Sequence, residues 1–302
     1  MDHAVTTRRL SKSFGSHTAL DGIDLDVPVG EVFGFLGPNG AGKSTTIRLL
    51  LDLIRPTGGS ATVLGMDPRR EGVHVRARIG YLPGDLTLPE RLVGRQYLAD
   101  QCAMRGLDLR DRCDELAERL DADLDRPMGH LSMGNRRKIG MIAAFAHDPE
   151  LLVLDEPTGG LDPLVQQTFR AMAREAAAEG RTVFLSSHVL DEVQHVADRV
   201  AVLREGRLVA EERVVDLLSH VSRTFTLTFD AVVGPEVIAG VPGVSEVRRG
   251  MSERELVATV EGPSGPLVEA LAGNGLVDLH SAEPDLEDVF LSYYSAPPGS
   301  GT

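Results

Sequence analysis

The chain has 302 residues, of which 42% are hydrophobic and 25% charged, a composition typical of a globular protein. Its 31 basic and 45 acidic residues give a net charge of −14. This charge argues against nucleic acid as a partner and against docking on anionic lipid, because both bind through basic side chains. No stretch approaches the roughly 18 apolar residues of a membrane span, and the N-terminus lacks the apolar core of a signal peptide. We therefore expect a cytoplasmic protein of about two domains.

The first half of the chain predicts strands, a glycine-rich turn and helices. Apolar and polar residues alternate up to about residue 30, which indicates short strands joined by turns. The apolar run Val32–Leu36 predicts a strand buried on both faces, and the turn and helix after it open a βαβ unit. Residues 90–125 predict polar helices, and a further helix is expected from Ser132 to about Ala146.

The second half predicts the rest of a parallel sheet and then a different pattern. Buried strands are expected at 151–154 and 182–185, with a helix at 163–179 between them and a hairpin at 200–209. After about residue 220 the chain predicts a small α+β domain. Its expected elements are strands at 224–229 and 256–260 and helices near 266–272 and 284–294.

Two cysteines make up the whole thiol inventory. Gly106 separates Cys102 from Cys113, which places them on different predicted helices. We expect two unpaired thiols in a reducing compartment. Two cysteines alone do not make a zinc or iron–sulfur site, and the sequence has no His or Cys cluster to complete one.

The segment Gly37-Pro38-Asn39-Gly40-Ala41-Gly42-Lys43-Ser44 fits the phosphate-loop pattern G-x-x-x-x-G-K-[ST]. Glycines let successive backbone N–H groups turn inward around phosphate oxygens, and the next helix presents its positive end to the same anion. Lys43 is expected to reach the β- and γ-phosphates and the Ser44 hydroxyl to bind Mg²⁺. With Thr45, the next helical residue, this segment predicts a nucleotide site.

An acidic pair ends the predicted strand at 151–154. Asp155 at its carboxyl edge can hold Mg²⁺ through the metal's water shell, and Glu156, pointing the other way, can polarise an attacking water. In isolation this pair could be a solvated strand end. Together with the phosphate loop upstream, it predicts an ATP- or GTP-hydrolysing site.

The segment Leu131–Asn135 resembles the LSGGQ signature of the nucleotide-binding subunits of ABC transporters, with Met133 and Asn135 as departures. Ser132 is expected to cap the following helix, whose first N–H groups, together with Gly134, would face a γ-phosphate. Asn135 is included with them among the predicted nucleotide-site residues. Taken alone, these residues could be an ordinary helix cap. The order of the motifs around them favours the functional interpretation.

Three further segments resemble motifs of that family in the expected order. Phe14 resembles the aromatic residue that stacks on adenine, although a lone Phe can be a core residue. Gly160-Leu161-Asp162 resembles the D-loop, so Asp162 is included among the nucleotide-site residues. His188 follows a buried strand and resembles the switch histidine that hydrogen-bonds the γ-phosphate, a position that in isolation would suggest a structural histidine.

One position departs from the family pattern. The family usually has a glutamine, which contacts Mg²⁺ and the attacking water, after a segment like Ile79–Pro83, and this chain has Gly84 there. Asp85 or a water could substitute, or the contact could be dispensable. We also hypothesise that the loop from Gly84 to Arg91 couples ATP to a partner.

The resemblance implies an α/β fold, a P-loop ABC ATPase core with a mixed sheet, flanking helices and a helical lobe at about 86–145. The core is predicted at 1–220 and the accessory α+β domain at 221–302. ATP and Mg²⁺ are the implied cofactors. Each ATP would lie between the phosphate loop of one subunit and the signature of another, so the implied partners are an identical or paralogous ATPase and an integral-membrane permease. The protein would then lie on the inner face of the membrane.

The C-terminal segment Glu283–Phe290, with Leu291 and Tyr293-Tyr294, resembles the closing helix of ABC-2-type exporter ATPases, a branch that includes drug- and antibiotic-resistance exporters such as the daunorubicin-resistance ATPases. The same segment could simply pack on its own domain. The alternative is a soluble mechanical or regulatory ABC ATPase. Only 88 residues separate Lys43 from Ser132, too few for the long coiled coil of the DNA-repair type, and translation types carry two ATPase units.

Overall fold

The computed structural model describes residues 2–219 and 222–281. The chain divides into two compact units between Glu212 and Arg213, whereas the sequence predicts the boundary after residue 220. The short helix Val214–Ser219 therefore belongs to the second unit. The helix expected near 284–294 lies outside the described residues.

A six-stranded sheet forms the centre of the first unit. Five neighbouring strands are parallel, and three of these are buried along their whole length. Parallel strands bring their carboxyl ends to one edge of a sheet, where ligands bind in open α/β folds. In spatial order the strands are β5 (Ile79–Leu82), β6 (Leu151–Asp155), β7 (Thr182–Ser187), β3 (Val32–Leu36), β8 (Arg199–Arg204) and β9 (Arg207–Arg213).

A second, antiparallel sheet contains β2 (His17–Pro28), β1 (His3–Phe14) and β4 (Gly58–Val63), in that order. Its first two strands are longer than the short strands predicted, because β1 continues through irregularities such as the one at Arg9, where φ is 44°. A hydrophobic core of the first unit contains residues from both sheets and from the helix that follows β3.

The helices of the first unit confirm the predicted α/β pattern. The three long helices of the helical lobe lie between β5 and β6 in the chain, within the span predicted for the lobe. In the described part of the chain, no helix is both long enough and apolar enough to cross a membrane. The helices are α1 (Lys43–Leu50), α2 (Gly72–Ala77), α3 (Gly94–Met104), α4 (Arg110–Leu120), α5 (Met133–Phe145), α6 (Pro163–Ala178) and α7 (Leu190–Gln194), with a 3₁₀ turn at Met128–His130.

The two cysteines lie on different helices of the lobe, as predicted, and both are buried free thiols. Burial, supported by the neighbouring Cys102, raises the pKa of the Cys113 thiol to about 12. The sequence predicts only that the two thiols lie on different helices, and the structure shows that they are neighbours.

The second unit is an α+β domain around a four-stranded antiparallel sheet with the order β11-β12-β10-β13. Its own apolar core is built from alternate residues of these strands and from one helix. The predicted strands at 224–229 and 256–260 and the helix near 266–272 are confirmed. The elements are α8 (Val214–Ser219), β10 (Arg223–Phe229), a 3₁₀ turn (Pro235–Val237), β11 (Val244–Arg249), β12 (Glu255–Val260), α9 (Gly265–Leu271) and β13 (Leu276–Ser281).

The raised pKa of Cys113 predicts an unreactive thiol. A group with a pKa of about 12 is protonated at pH 8, and only the thiolate reacts. In a Cys102→Ser variant at pH 8, burial still disfavours the thiolate, and we expect Cys113 to react with Ellman's reagent at least about tenfold more slowly than free cysteine. Unfolding in guanidinium is expected to restore a normal rate. Rapid reaction of the native protein would contradict the buried placement.

Candidate functional site

The phosphate loop connects β3 to α1 and is shaped by close backbone contacts. A Cβ at Gly37 would lie 2.5 Å from the carbonyl oxygen of Leu203. A Cβ at Gly42, where φ is 113°, would lie 2.7 Å from the carbonyl oxygen of Ala19. These positions exclude a side chain, because real Cβ contacts are longer. At Gly40 the space is open, and only the positive φ of 83° favours glycine.

Lys43 lies inside this loop and is only 6% exposed. Its ammonium donates to the carbonyl oxygens of Gly37 at 2.5 Å and Pro38 at 3.4 Å. Its Nζ also lies 3.5 Å from Oε1 of Glu156. The loop therefore holds a buried cation at its centre, next to a carboxylate.

One pocket of about 290 Å³ joins the loop to residues distant in the sequence. Phe14, at the end of β1, is half exposed there, with the Lys12 ammonium 4.7 Å from its ring centroid, a cation–π contact. The sequence analysis did not identify His17, which lines the pocket, or Lys12, which contacts the Phe14 ring. The pocket is lined by Phe14, His17, Ala19, Pro38, Asn39, Gly40, Gly42, Lys43, Ser44, Thr45 and Glu156.

The two acids at the end of β6 have different surroundings, as predicted. Asp155 is buried, and its Oδ1 accepts a hydrogen bond from the Ser186 hydroxyl. Glu156 has a φ of 51°, an unusual left-handed conformation for a non-glycine residue. Its amide donates to the carbonyl oxygen of Ser186 at 3.1 Å. The turn at Glu156 separates the two carboxylates.

Glu156 bridges the loop and the predicted switch histidine. Its Oε2 lies 2.8 Å from Nδ1 of His188, while its Oε1 faces the Lys43 ammonium. The Ser186 hydroxyl, which the sequence analysis missed, lies between the two acids because β7 is the neighbour of β6. The structure thus assembles Lys43, Glu156 and His188 into one polar cluster.

The two predicted magnesium ligands suit that ion chemically. A serine hydroxyl and a carboxylate are hard oxygen donors, and Mg²⁺ is usually held by one or two carboxylates together with phosphates and waters. Within the described ranges, no group of three or more His, Cys, Asp or Glu residues could hold a metal alone. Ser44 and Asp155 therefore fit an ion whose remaining ligands come from a bound nucleotide.

Gly84 lies directly against the buried acid. A Cβ there would be 3.1 Å from Oδ2 of Asp155. The Asp85 side chain is almost fully exposed and pairs with Arg48 at 3.7 Å. Asp85 is one of the substitutes considered for the missing glutamine, and its side chain is directed to Arg48 instead of to the acid.

The signature residues occupy a second pocket with the D-loop. The Ser132 hydroxyl accepts a hydrogen bond from the amide of Asn135 at 3.1 Å, which confirms the predicted helix cap. A Cβ at Gly134 would lie 2.9 Å from the carbonyl oxygen of Gly160, so these two segments pack tightly. Asp162 caps α6 by accepting from two of its amides.

The Asn135 side chain makes two hydrogen bonds within its own chain. Its amide group donates to the carbonyl oxygen of Asp123 at 2.9 Å and accepts from the amide of Asp123 at 2.8 Å. These bonds fix the start of α5 to the loop after α4. A direct nucleotide contact of Asn135 stays a prediction.

Arg137 is a functional candidate that the sequence analysis missed. It lies on α5, is 8% exposed, and its guanidinium bonds the backbone around both acids. Burial is the main cause that lowers the pKa of Arg137 from its ordinary value, against the opposing charges of Asp155 and Glu156. The sequence gives no signal for this, because the basic run 136–138 is also typical of a solvated helix face.

Comparison with known proteins agrees with this geometry. The profile of the ABC transporter family matches residues 20–159. Daunorubicin resistance ATP-binding protein DrrA3 of Streptomyces coeruleorubidus is 38% identical over 96% of this chain and 95% of its own length. Bacitracin transport ATP-binding protein BcrA of Bacillus licheniformis is 36% identical over 70% of this chain and 70% of its own.

Solved structures share the fold. The ATP binding subunit of an ABC transporter has a TM-score of 0.67 and 29% identity, over 71% of this chain and 91% of its own. The ATP-binding cassette MJ0796, a dimer bound to ADP and Pi, has a TM-score of 0.63 and 21% identity over 70% of this chain and 98% of its own; this supports the fold alone. The chain therefore belongs to the ABC transporter family, as an ATP-binding, ATP-hydrolysing subunit of the ABC-2-type exporter branch.

Proposed function

We propose that this chain hydrolyses ATP with Mg²⁺ at a site shared between two subunits and thereby powers export of a small molecule or lipid-like substrate through a separate integral-membrane permease. The polar cluster carries this proposal. The Lys43 ammonium lies 3.5 Å from the Glu156 carboxylate, which lies 2.8 Å from His188. A cation for the phosphates and a base for the water thus meet at one point.

The lining of the loop pocket supports one orientation of ATP. The adenine stacks on the half-exposed ring of Phe14, and the phosphates lie against the loop amides and the amino end of α1. Lys43 exchanges the carbonyl oxygens of Gly37 and Pro38 for the β- and γ-phosphate oxygens. Mg²⁺, held by the Ser44 hydroxyl and the Asp155 carboxylate, would supply charge neutralisation for the phosphates.

Hydrolysis follows from the position of Glu156. Its carboxylate accepts a proton as water attacks the γ-phosphorus, the new O–P bond forms, and the bond to the ADP oxygen breaks. His188 hydrogen-bonds the γ-phosphate and helps to hold Glu156. ADP and phosphate are the products.

The signature pocket supports a two-subunit site. Within one chain, Ser132 and Gly134 line a pocket with the D-loop, separate from the one that contains Lys43. One copy of each motif therefore contributes half of two ATP sites. An identical or paralogous ATPase would complete them, with the γ-phosphate joining the loop of one subunit to the capped helix of the other.

A groove of about 340 Å³ beside the loop after Pro83 supports the permease partner. It lies between strand β5 and the helical lobe and is lined by residues that include Leu53, Tyr81, Leu86 and Tyr97. The loop from Gly84 to Arg91 begins at this groove and at Asp155, so it could transmit movement between the two. In this proposal the chain lies on the cytoplasmic face of the membrane, bound through its permease. The daunorubicin and bacitracin proteins among its relatives suggest an antibiotic-like cargo.

The packing of the loop glycines predicts different effects of two similar changes. Gly42→Ala brings a Cβ to 2.7 Å from neighbouring atoms, whereas Gly40→Ala meets open space. We expect Gly42→Ala to raise the Kd for a fluorescent ATP analogue by more than about tenfold, and Gly40→Ala to raise it less because it adds only the backbone cost of a positive φ. Equal effects in a fluorescence titration would contradict the close-contact explanation.

Glu156→Gln tests the proposed base. The amide keeps the size of the side chain but accepts no proton, so we expect ATP turnover to fall by about a hundredfold or more. ATP should then remain bound and hold two subunits together. Size-exclusion chromatography with ATP and Mg²⁺ measures the dimer. Glu150→Gln makes the same change in an exposed glutamate that precedes β6 and pairs with Arg78, and it serves as a control for turnover. Wild-type turnover in Glu156→Gln would refute the assigned base.

A further inference from the structure

Arg137 makes an unusual set of contacts for a buried cation. Its Nε donates to the carbonyl oxygen of Pro157 at 3.0 Å, and its Nη1 to that of Gly84 at 3.1 Å. Its Nη2 donates to the carbonyl oxygens of Asp155, at 2.8 Å, and Glu156. One guanidinium thus spans four backbone carbonyls in two separate loops.

These bonds fix the strained residue of the site. Left-handed backbone at a non-glycine residue costs about 1–3 kcal/mol and persists only where its surroundings hold it. The amide of Glu156 is held by Ser186, at 3.1 Å from its carbonyl and 3.3 Å from its hydroxyl. The carbonyl of Glu156 is held by Arg137. The φ of 51° at Glu156 turns its carboxylate toward Lys43 and away from Asp155. This conformation is therefore held by hydrogen bonds at both the amide and the carbonyl of Glu156.

The contribution of these bonds to stability does not explain well why the Arg137 guanidinium is buried. Burying a guanidinium costs solvation free energy, which the direct bonds described here return only through neutral carbonyls. Arg137 also connects three functional parts. It lies one and a half turns after the Ser132 cap on α5, it bonds the backbone of both acids, and it bonds Gly84 at the start of the loop beside the groove.

We propose that Arg137 is a positioning residue that sets the orientation of Glu156 and makes this orientation depend on the position of α5. A shift of the signature helix moves the guanidinium, and with it the carbonyl of Glu156. The base is then correctly aimed only when α5 and the Gly84 loop are both in place. The proposal rests on the proposed role of Glu156 as the base.

Single-turnover ATP hydrolysis tests this in the full chain. Arg137→Met removes the four bonds with a side chain of similar length. We expect its rate constant to fall by about a hundredfold, the size of effect that a misplacement of about 1 Å produces, while the Kd for ATP changes less than about threefold. Arg137→Lys keeps the charge without the fork and is expected to recover part of the rate.

Arg181→Met is the matched control. It removes another largely buried arginine, which pairs with Asp148 and Glu179. Arg181 directly precedes β7, at the end of the strand that lies away from the site. Its thermal midpoint is expected to fall, with hydrolysis within about twofold of wild type. A rate constant for Arg137→Met within threefold of this control would overturn the proposal. If Arg137→Met does not fold, Arg137→Lys decides, since a wild-type rate for it would also overturn the proposal.

A double-mutant cycle separates positioning from general damage. Because Arg137 acts through Glu156, adding Arg137→Met to Glu156→Gln is expected to cause little further loss of hydrolysis. A further hundredfold loss in the double variant would show an independent role and overturn the proposal. If Glu156→Gln itself hydrolyses ATP at the wild-type rate, the failure lies in the assignment of the base and not in Arg137.

Discussion

The contact between the Lys43 ammonium and the Glu156 carboxylate, 3.5 Å apart, is the interaction on which the site depends. It joins the segment after β3 to the segment after β6, two strands that are not neighbours in the sheet. It is possible because parallel strands end at one edge, and because β7, between them, ends in the small residues Ser186 and Ser187. His188 then completes the cluster on Glu156. A phosphate-binding cation and a proton acceptor are thereby held together by the backbone of the sheet.

The backbone at Glu156 shows how this site combines strain with support. Strained residues are stable only when several contacts determine them, and here the contacts come from Ser186 on one side and Arg137 on the other. Since Arg137 belongs to α5, the support of the base includes the helix that presents the signature residues. The loop pocket and the signature pocket are lined by different residues, and α5 links them because it lines the signature pocket and bonds the backbone of Glu156 through Arg137.

Gly84 gives the site an unusual feature for its family. Its position against Asp155 leaves no side chain between the acid and the loop, and Asp85 is directed to Arg48. The connection between loop and acid is instead made through backbone, since Arg137 bonds the carbonyls of both Gly84 and Asp155. Arg137 thus connects the loop and the acid, although the glutamine side chain expected from the family is missing.

Local patterns in the sequence determined the phosphate loop, the acidic pair, the cap at Ser132, and many of the strands and helices of both units, because spacing and residue type express local physics. They did not determine β4, whose Gly58-Gly59-Ser60 start is typical of a loop and becomes a strand by pairing with β1. Nor did they reveal the burial of Arg137, the neighbouring thiols, or the bonding of Asn135 to Asp123. These depend on contacts between different elements of the chain, and only the tertiary structure brings such elements next to each other.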